Sequence, residues 1–332
     1  MEYFKILSIG FVLSFIGVLL AVKLFPKIKL LDFPQRYGLT RNRLPYPGGI
    51  ILGLLFLGLL LLDPRFLILG LPLLLLGGLS FWDDRKTLPA KFRLFCHFLI
   101  AILVYFLGIK IEFIGNPFAQ TNFELSQQFP ILAFLLTIFW IVSIQNAMNW
   151  FDGLSGLAPG VSAIGFFVLG LLGLLRPELL FDPTHHTITL ANFYLTGICL
   201  GGFYFFWTKK IVLGDSGSQL LGFLLAVMAI FSGAKIATTL LVLALPILDF
   251  FIVILRRIII DRKSPFQGDL NHLHHNLARK LSEKWATLFL LLVSFLFGGI
   301  AVFLVGTQKL IALLFATVFV LGLTIRTSKS EL

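Results

Sequence analysis

The chain has 332 residues, of which 58% are hydrophobic and only 13% charged, with a mean hydropathy of +0.96 and a formal net charge of +11. Soluble globular proteins carry about 25% charged residues, so a soluble domain is excluded. Alternating short strands are absent, which excludes a β-barrel, and backbone in lipid must then satisfy its own hydrogen bonds as helix. The fold predicted is an all-α, polytopic integral membrane protein, one domain over residues 1–332.

The first apolar run, YFKILSIGFVLSFIGVLLAVKLF, lacks the basic n-region and small-residue cleavage site of a signal peptide, and its basic residues follow it. It is read as a first span at 3–24. Further spans are predicted at 47–62, 66–81, 92–108, 129–147, 158–175, 187–207, 217–232, 236–254, 286–305 and 309–325. This gives about eleven, or ten at the lower count. Several are short for a bilayer, so they tilt little or sit inside the protein. Loops near 26–46, 82–93, 146–157, 208–216 and 255–285, with the C-terminus, carry most of the 27 Lys and Arg. Basic loops stay cytoplasmic, which puts the N-terminus outside and the C-terminus inside. The positive charge serves topology and anionic headgroups. Spread over many short loops, it does not form a nucleic-acid footprint. Cys96 and Cys199 lie in apolar segments and read as buried side chains.

The unusual polar residues fall on this basic face. FWDDRK (81–86) ends a span with Asp83 and Asp84. Carboxylates at such a boundary either terminate a helix or do chemistry. Adjacent helical residues point apart, so the two are expected to have different tasks rather than form one chelate. Lys91 follows Asp83 by about two turns and either reaches a phosphate or snorkels. NAMNWFDGLSGL (146–157) and GDSGS (214–218) add amides and acids between small residues, where a ligand can approach backbone closely. Oxygen donors of this kind suit Mg²⁺ shared with phosphates. His185 and His186 sit on the opposite face and read as a solvated loop. RRIIIDRKSPFQGDLNHLHHNL (256–277) carries His272, His274 and His275. These compete as Zn²⁺ ligands, but HxHH is not a usual zinc spacing, and phosphate binding or proton donation is the preferred reading. Neither GxxxxGK[ST] nor GxGxxG occurs. A transporter or flippase is the alternative of another class, although transporters keep their polar groups near the bilayer midplane.

The ordered set DFPQRYGLTRNRLPYPGGI, FWDDRKTLPAK, NAMNWFDGLSGL, GDSGSQLLGF and PILDFFIVILRRIIIDRKSPFQGDLNHLHHNL, over residues 32–277, resembles the polyprenyl-phosphate N-acetylhexosamine-1-phosphate transferases (glycosyltransferase family 4). The closest motif likeness is to enzymes that use N-acetylglucosamine. The resemblance implies transfer of sugar-1-phosphate from a UDP-sugar to undecaprenyl phosphate, with UMP released and cell-envelope polysaccharide synthesis begun. It implies Mg²⁺ (Mn²⁺ as a substitute) at Asn149 and Asp215, with Asp83 as base toward the lipid phosphate and Asp84 in support. By the same likeness Asp152 lies near the nucleotide. The resemblance further implies that His272, His274 and His275, with Arg256 or Arg257, hold sugar and diphosphate, and Lys91 and Asp269 are further substrate-binding candidates. Direct attack is favoured over an aspartyl intermediate, since a carboxylate nucleophile needs its own activation. Ser155 departs from the family, many of whose members have an acid there, and that leaves the donor sugar open. A muramoyl-pentapeptide donor is the alternative within the family. A bacterial plasma membrane, a cytoplasmic active site and a homodimer complete the expectations.

Overall fold

The computed structural model describes residues 1–34, 42–118, 122–177, 185–233, 235–265 and 271–328. Its elements run α1 Glu2–Leu24, α2 Gly49–Phe56, α3 Leu59–Leu62, a 3₁₀ turn Pro64–Leu69, α4 Gly70–Arg85 and α5 Ala90–Phe106. An antiparallel hairpin follows, β1 Phe113–Gly115 with β2 Asn122–Glu124. Then come α6 Leu125–Gln128, α7 Pro130–Phe151, α8 Leu157–Leu175, α9 His185–Trp207 and α10 Gly214–Phe231. The chain closes with α11 Ile236–Val242, α12 Ala244–Leu255, a π turn Arg256–Ile260, α13 Leu273–Leu281, α14 Glu283–Phe303 and α15 Thr307–Ser328.

The protein is an all-α, multi-pass membrane protein. Every predicted span falls on helix. Among the described residues 8 helices are long and apolar enough to cross a membrane, or 9 if one bent pair counts as a span. The predicted spans at 47–62 and 92–108 are shorter helices, α2–α3 and α5. The predicted span at 236–254 is broken by 81° between α11 and α12. Pro246 accounts for the break, because it has no N–H to donate back to Val242 and its ring crowds the preceding turn.

α10 is the centre of the bundle, buried along nearly its whole length and packed by α7, α4, α2 and α8. Close approach is bought with glycine. A Cβ on Gly49 would overlap the backbone of Gly217, and one on Gly222 would lie 2.7 Å from the Cα of Gln145. Polar side chains in this core find partners across the helices. Gln145 Nε2 donates to Gln219 Oε1 at 2.8 Å, and Trp140 Nε1 donates to the Ala226 carbonyl at 3.0 Å. α1 and α15 are peripheral and leave apolar side chains such as Phe4, Ile16, Ile311 and Val318 facing outward.

α1 seats on α9 through a small-residue seam. A Cβ on Gly197 would run into the Leu7 carbonyl, and one on Gly201 into the Phe11 carbonyl. Spaced four apart, these two glycines let the helix backbones touch, the usual way lipid-embedded helices associate. Gly197→Val is therefore expected to cost about 1–3 kcal/mol by overpacking. The check is the thermal midpoint in detergent, which should fall for Gly197→Val and stay put for Gly299→Ala, where added volume meets nothing.

Candidate active site

Helix ends bring the predicted residues together at one end of the bundle. Asp83 and Asp84 lie in the last turn of α4, and their carboxylates turn to different partners. Asp84 accepts from the Tyr46 hydroxyl at 2.5 Å and the Asp215 amide at 2.7 Å through Oδ1, and from the Ser216 amide at 3.1 Å through Oδ2. The first amides of a helix have no partner within it. Asp84 therefore caps α10 from another helix, and the positive end of α10 favours the negative charge. Gly214, at φ +78°, makes the approach feasible, since a Cβ there would sit 2.9 Å from Asp84 Oδ2.

Asp83 faces the other way. Its Oδ1 accepts from the Leu88 amide at 2.6 Å, and its Oδ2 from Arg93 Nη1 at 2.5 Å. The same Arg93 nitrogen reaches Asp215 Oδ2 at 2.9 Å. One guanidinium, in the first turn of α5, thus bridges an acid at the end of α4 and an acid at the start of α10. Asn149, near the end of α7, donates through Nδ2 to Asp215 Oδ1 at 3.0 Å and to Ser218 Oγ at 2.9 Å. Asp215 and Asp83 offer hard oxygen atoms around a shared point of charge, and Asn149 would add its own with its amide turned over, the donor chemistry that fits Mg²⁺.

Asp152 follows α7 directly, and its loop closes on the histidine segment. A Cβ on Gly153 would overlap His274 Nε2 and lie 2.9 Å from His275 Cε1. Desolvation first, then the nearby Asp215 and Asp84 carboxylates, push the Asp152 carboxyl well above the usual range. His272 heads α13. Its Nδ1 lies 2.8 Å from Asp249 Oδ2, and Asp249 Oδ1 accepts the Leu273 amide at 2.8 Å. Asp249, on α12, thus caps α13 and fixes the orientation of the His272 ring. His274 is fully buried against Phe151, and both its ring nitrogens lack a hydrogen-bond partner. Burial first, then His275 and His272, hold it well below the ordinary histidine range, so the ring is neutral. It forms the wall beneath the Asp152 loop.

The remaining predicted residues divide. Arg257 is buried, with its guanidinium 4.8 Å from the centre of the Trp150 ring and Nη1 donating to the Pro265 carbonyl at 2.9 Å. Arg256 Nη1 donates to the Asn271 carbonyl at 3.2 Å. Both arginines hold the backbone of the histidine loop. Lys91 is exposed on the first turn of α5, and Arg93, two residues on, makes the contact to the acids. Asp269 lies outside the described residues. His186 is exposed and lies 3.4 Å from Glu2, in keeping with a solvated position. As for zinc, Asp249, His272 and His274 bring ligand-type atoms within 4.8 Å of one another. The Asp249–His272 hydrogen bond engages two of the atoms a metal would take.

Arg93, Tyr46, Asp249 and Ser218 escaped the sequence reading. Arg93 and Tyr46 lie inside quoted motifs, but nothing in their spacing reveals a partner 122 residues away for one and 38 residues away for the other. Asp249 carried a findable signal, a lone carboxylate inside an apolar span.

Acids, amides and a bridging cation thus gather at the mouths of several membrane helices. The model of glycosyl transferase family 4 matches residues 66–233. A probable undecaprenyl-phosphate N-acetylglucosaminyl 1-phosphate transferase of Bacillus subtilis is 29% identical over 89% of this chain and 84% of its own length. The undecaprenyl-phosphate alpha-N-acetylglucosaminyl 1-phosphate transferase of Thermotoga maritima is 30% identical over 81% of this chain and 79% of its own length. A decaprenyl-phosphate N-acetylglucosaminephosphotransferase of Mycobacterium leprae is 32% identical, over 63% of this chain and 58% of the relative. The chain belongs to glycosyl transferase family 4.

Proposed function

We propose that the protein transfers N-acetylglucosamine-1-phosphate, or a closely related N-acetylhexosamine-1-phosphate, from a UDP-sugar to undecaprenyl phosphate. The reaction takes place at the cytoplasmic face of a bacterial plasma membrane and begins an envelope polysaccharide. The observation that carries this reading is the convergence of Asp83 and Asp215 on one guanidinium at the helix ends, with Asn149 on Asp215 and Asp152 within electrostatic reach. The names and coverage of the Bacillus and Thermotoga relatives support the donor and the acceptor.

In the reaction a phosphate oxygen of the lipid attacks the sugar-bearing phosphorus of the donor. The bond from that phosphorus to the bridging oxygen breaks, and UMP leaves with that oxygen. Both reactants are anions, so the site must offset their repulsion. Asp215 and Asn149 would hold Mg²⁺, which supplies positive charge to the diphosphate. Arg93 places a second positive group beside them. Asp83 orients the acceptor phosphate; a phosphate monoester has a second pKa of about 6, so little base assistance is required of it. Asp84 keeps the start of α10 in place. Asp152 and the His272–His275 segment flank the donor, with His274 as packing rather than as a charged contact.

The test is UMP release by purified protein in detergent with undecaprenyl phosphate, Mg²⁺ and a panel of UDP-sugars that includes the muramoyl-pentapeptide donor. The expected result is UMP that depends on lipid, on metal and on an N-acetylhexosamine donor. Release with the pentapeptide donor alone would move the protein to the other branch of the family. No release from folded protein, together with solute movement across sealed vesicles, would establish the transporter instead.

Asp249 has a separable role. Asp249→Asn keeps the shape but removes the charge that orients His272. Turnover should fall about 10- to 100-fold, the usual range for losing an orienting partner. Turnover at the wild-type level would take His272 out of the reaction.

A further inference from the structure

The loop 152–156 carries Asp152, yet it is short, glycine-bearing and placed between two helix ends. Its inner side is fixed by Gly153 against His274 and His275. Its outer side is fixed by a group that no motif contains. Ser155 donates to Glu283 Oε1 twice, from its amide at 3.0 Å and from its hydroxyl at 2.6 Å. Glu283 Oε2 in turn accepts from Lys209 Nζ at 2.5 Å. Glu283 opens α14, and Lys209 follows the end of α9. One carboxylate therefore ties three parts of the chain together, 128 and 74 residues apart in sequence.

Two further observations give this contact a purpose. The histidines lie at the start of α13 and Glu283 opens α14, just past the end of α13, and both touch the same loop, at Gly153 and at Ser155. The stretch from His274 to Glu283 thus meets the loop at two points. A hollow lined by Ser155, Trp207, Lys209, Glu283, Lys284 and Thr287 opens beside the outer grip. At Ser155 the loop is held by the two hydrogen bonds to Glu283, while Gly156 beside it lies close to Phe203 and Trp207. Gly156, at φ +77°, ends the loop in a conformation that other residues rarely take.

We propose that Glu283 is a positioning residue that keeps the 152–156 loop in register with the histidine-bearing helix α13 and so sets the affinity for the nucleotide-sugar donor. The inference rests on the transferase reading for its kinetic consequence and on geometry alone for the clamp. Lys209 neutralises Glu283 and aims it, and Ser155 receives it.

The experiment has two arms. Hydrogen exchange by mass spectrometry on peptides covering residues 150–157 reads the clamp without any substrate. Glu283→Ala should raise exchange there, and Glu283→Gln, whose amide oxygen still accepts from Ser155, should leave it near wild type. In the kinetic arm Glu283→Ala should raise the donor KM about tenfold, the expected cost of a lost hydrogen-bonded carboxylate. The polyprenyl-phosphate KM and kcat should change little. Ser155→Asp, which sets two carboxylates face to face, should raise the donor KM in the same way. Adding Glu283→Gln to Ser155→Asp should restore it, because the amide can donate to the new acid. Unchanged exchange in Glu283→Ala overturns the clamp whatever the reaction. Raised exchange with an unchanged donor KM, or with both KM values raised alike, overturns its role in donor binding. A wild-type protein that releases no UMP would fail the transferase reading alone and leave the exchange arm decisive for the clamp.

Discussion

Asp215→Asn should abolish UMP release, by on the order of a thousandfold or more, while the helical circular dichroism and thermal midpoint of the protein stay near wild type. The carboxylate is the point where three neighbours meet. Its Oδ2 faces Arg93, its Oδ1 accepts from Asn149, and its own amide is held by Asp84. An asparagine keeps the amide and the side-chain shape, so the cap from Asp84 survives. What it loses is a negative charge facing Arg93 and a hard ligand for a divalent cation. The same variant should bind Mn²⁺ more weakly in a direct titration without substrate. Activity within tenfold of wild type would remove Asp215 from the chemistry.

Arg93→Ala should produce two effects of opposite sign. Turnover should fall about a hundredfold, the scale of removing one charged group that stabilises the transition state. Metal binding in the absence of substrate should tighten. Arg93 now offsets Asp83 and Asp215 together, so it competes with any other cation for Asp215 Oδ2. Removing it leaves two acids facing one another with their repulsion uncompensated, and a divalent ion relieves that repulsion. Titration of Mn²⁺ into both proteins reads the second effect, and UMP release reads the first. Arg93→Lys should fall between, because a compact ammonium on a flexible stem lacks the planar reach of a guanidinium. Metal binding that weakens in Arg93→Ala would mean that the arginine supports the site rather than competing in it.

The architecture was legible where a single local rule decides it. Apolar runs gave the membrane-embedded helices, though not the polar α6 and α13, and adjacency on one helix gave Asp83 and Asp84 their separate directions. The rule for spans could not see Pro246 turning one apolar run into two limbs. Nor did loop composition reveal the hairpin at Phe113–Gly115, whose pairing depends on residues beyond the turn. In the site, the residues that motifs hold close in sequence were found, and those that meet only in space were not. Lys91 was singled out on helical spacing, whereas Arg93, two residues on, makes the contact to the acids. Ser155 read as a missing acid. In space a carboxylate does stand beside it, contributed by Glu283 from another helix.

The three donors around Asp84 narrow what evolution and mutagenesis can do at that position. Asparagine, ordinarily the mildest replacement, has only one accepting atom. Whichever way its amide turned, a nitrogen would face a backbone N–H, either that of Asp215 or that of Ser216. Glutamate adds a methylene where Gly214 already leaves no room for one more carbon. Position 84 therefore has an alphabet of one letter for a reason unrelated to bond making. An inactive variant there reports a displaced helix start, and its loss should not be counted toward the catalytic roll of the neighbouring acids.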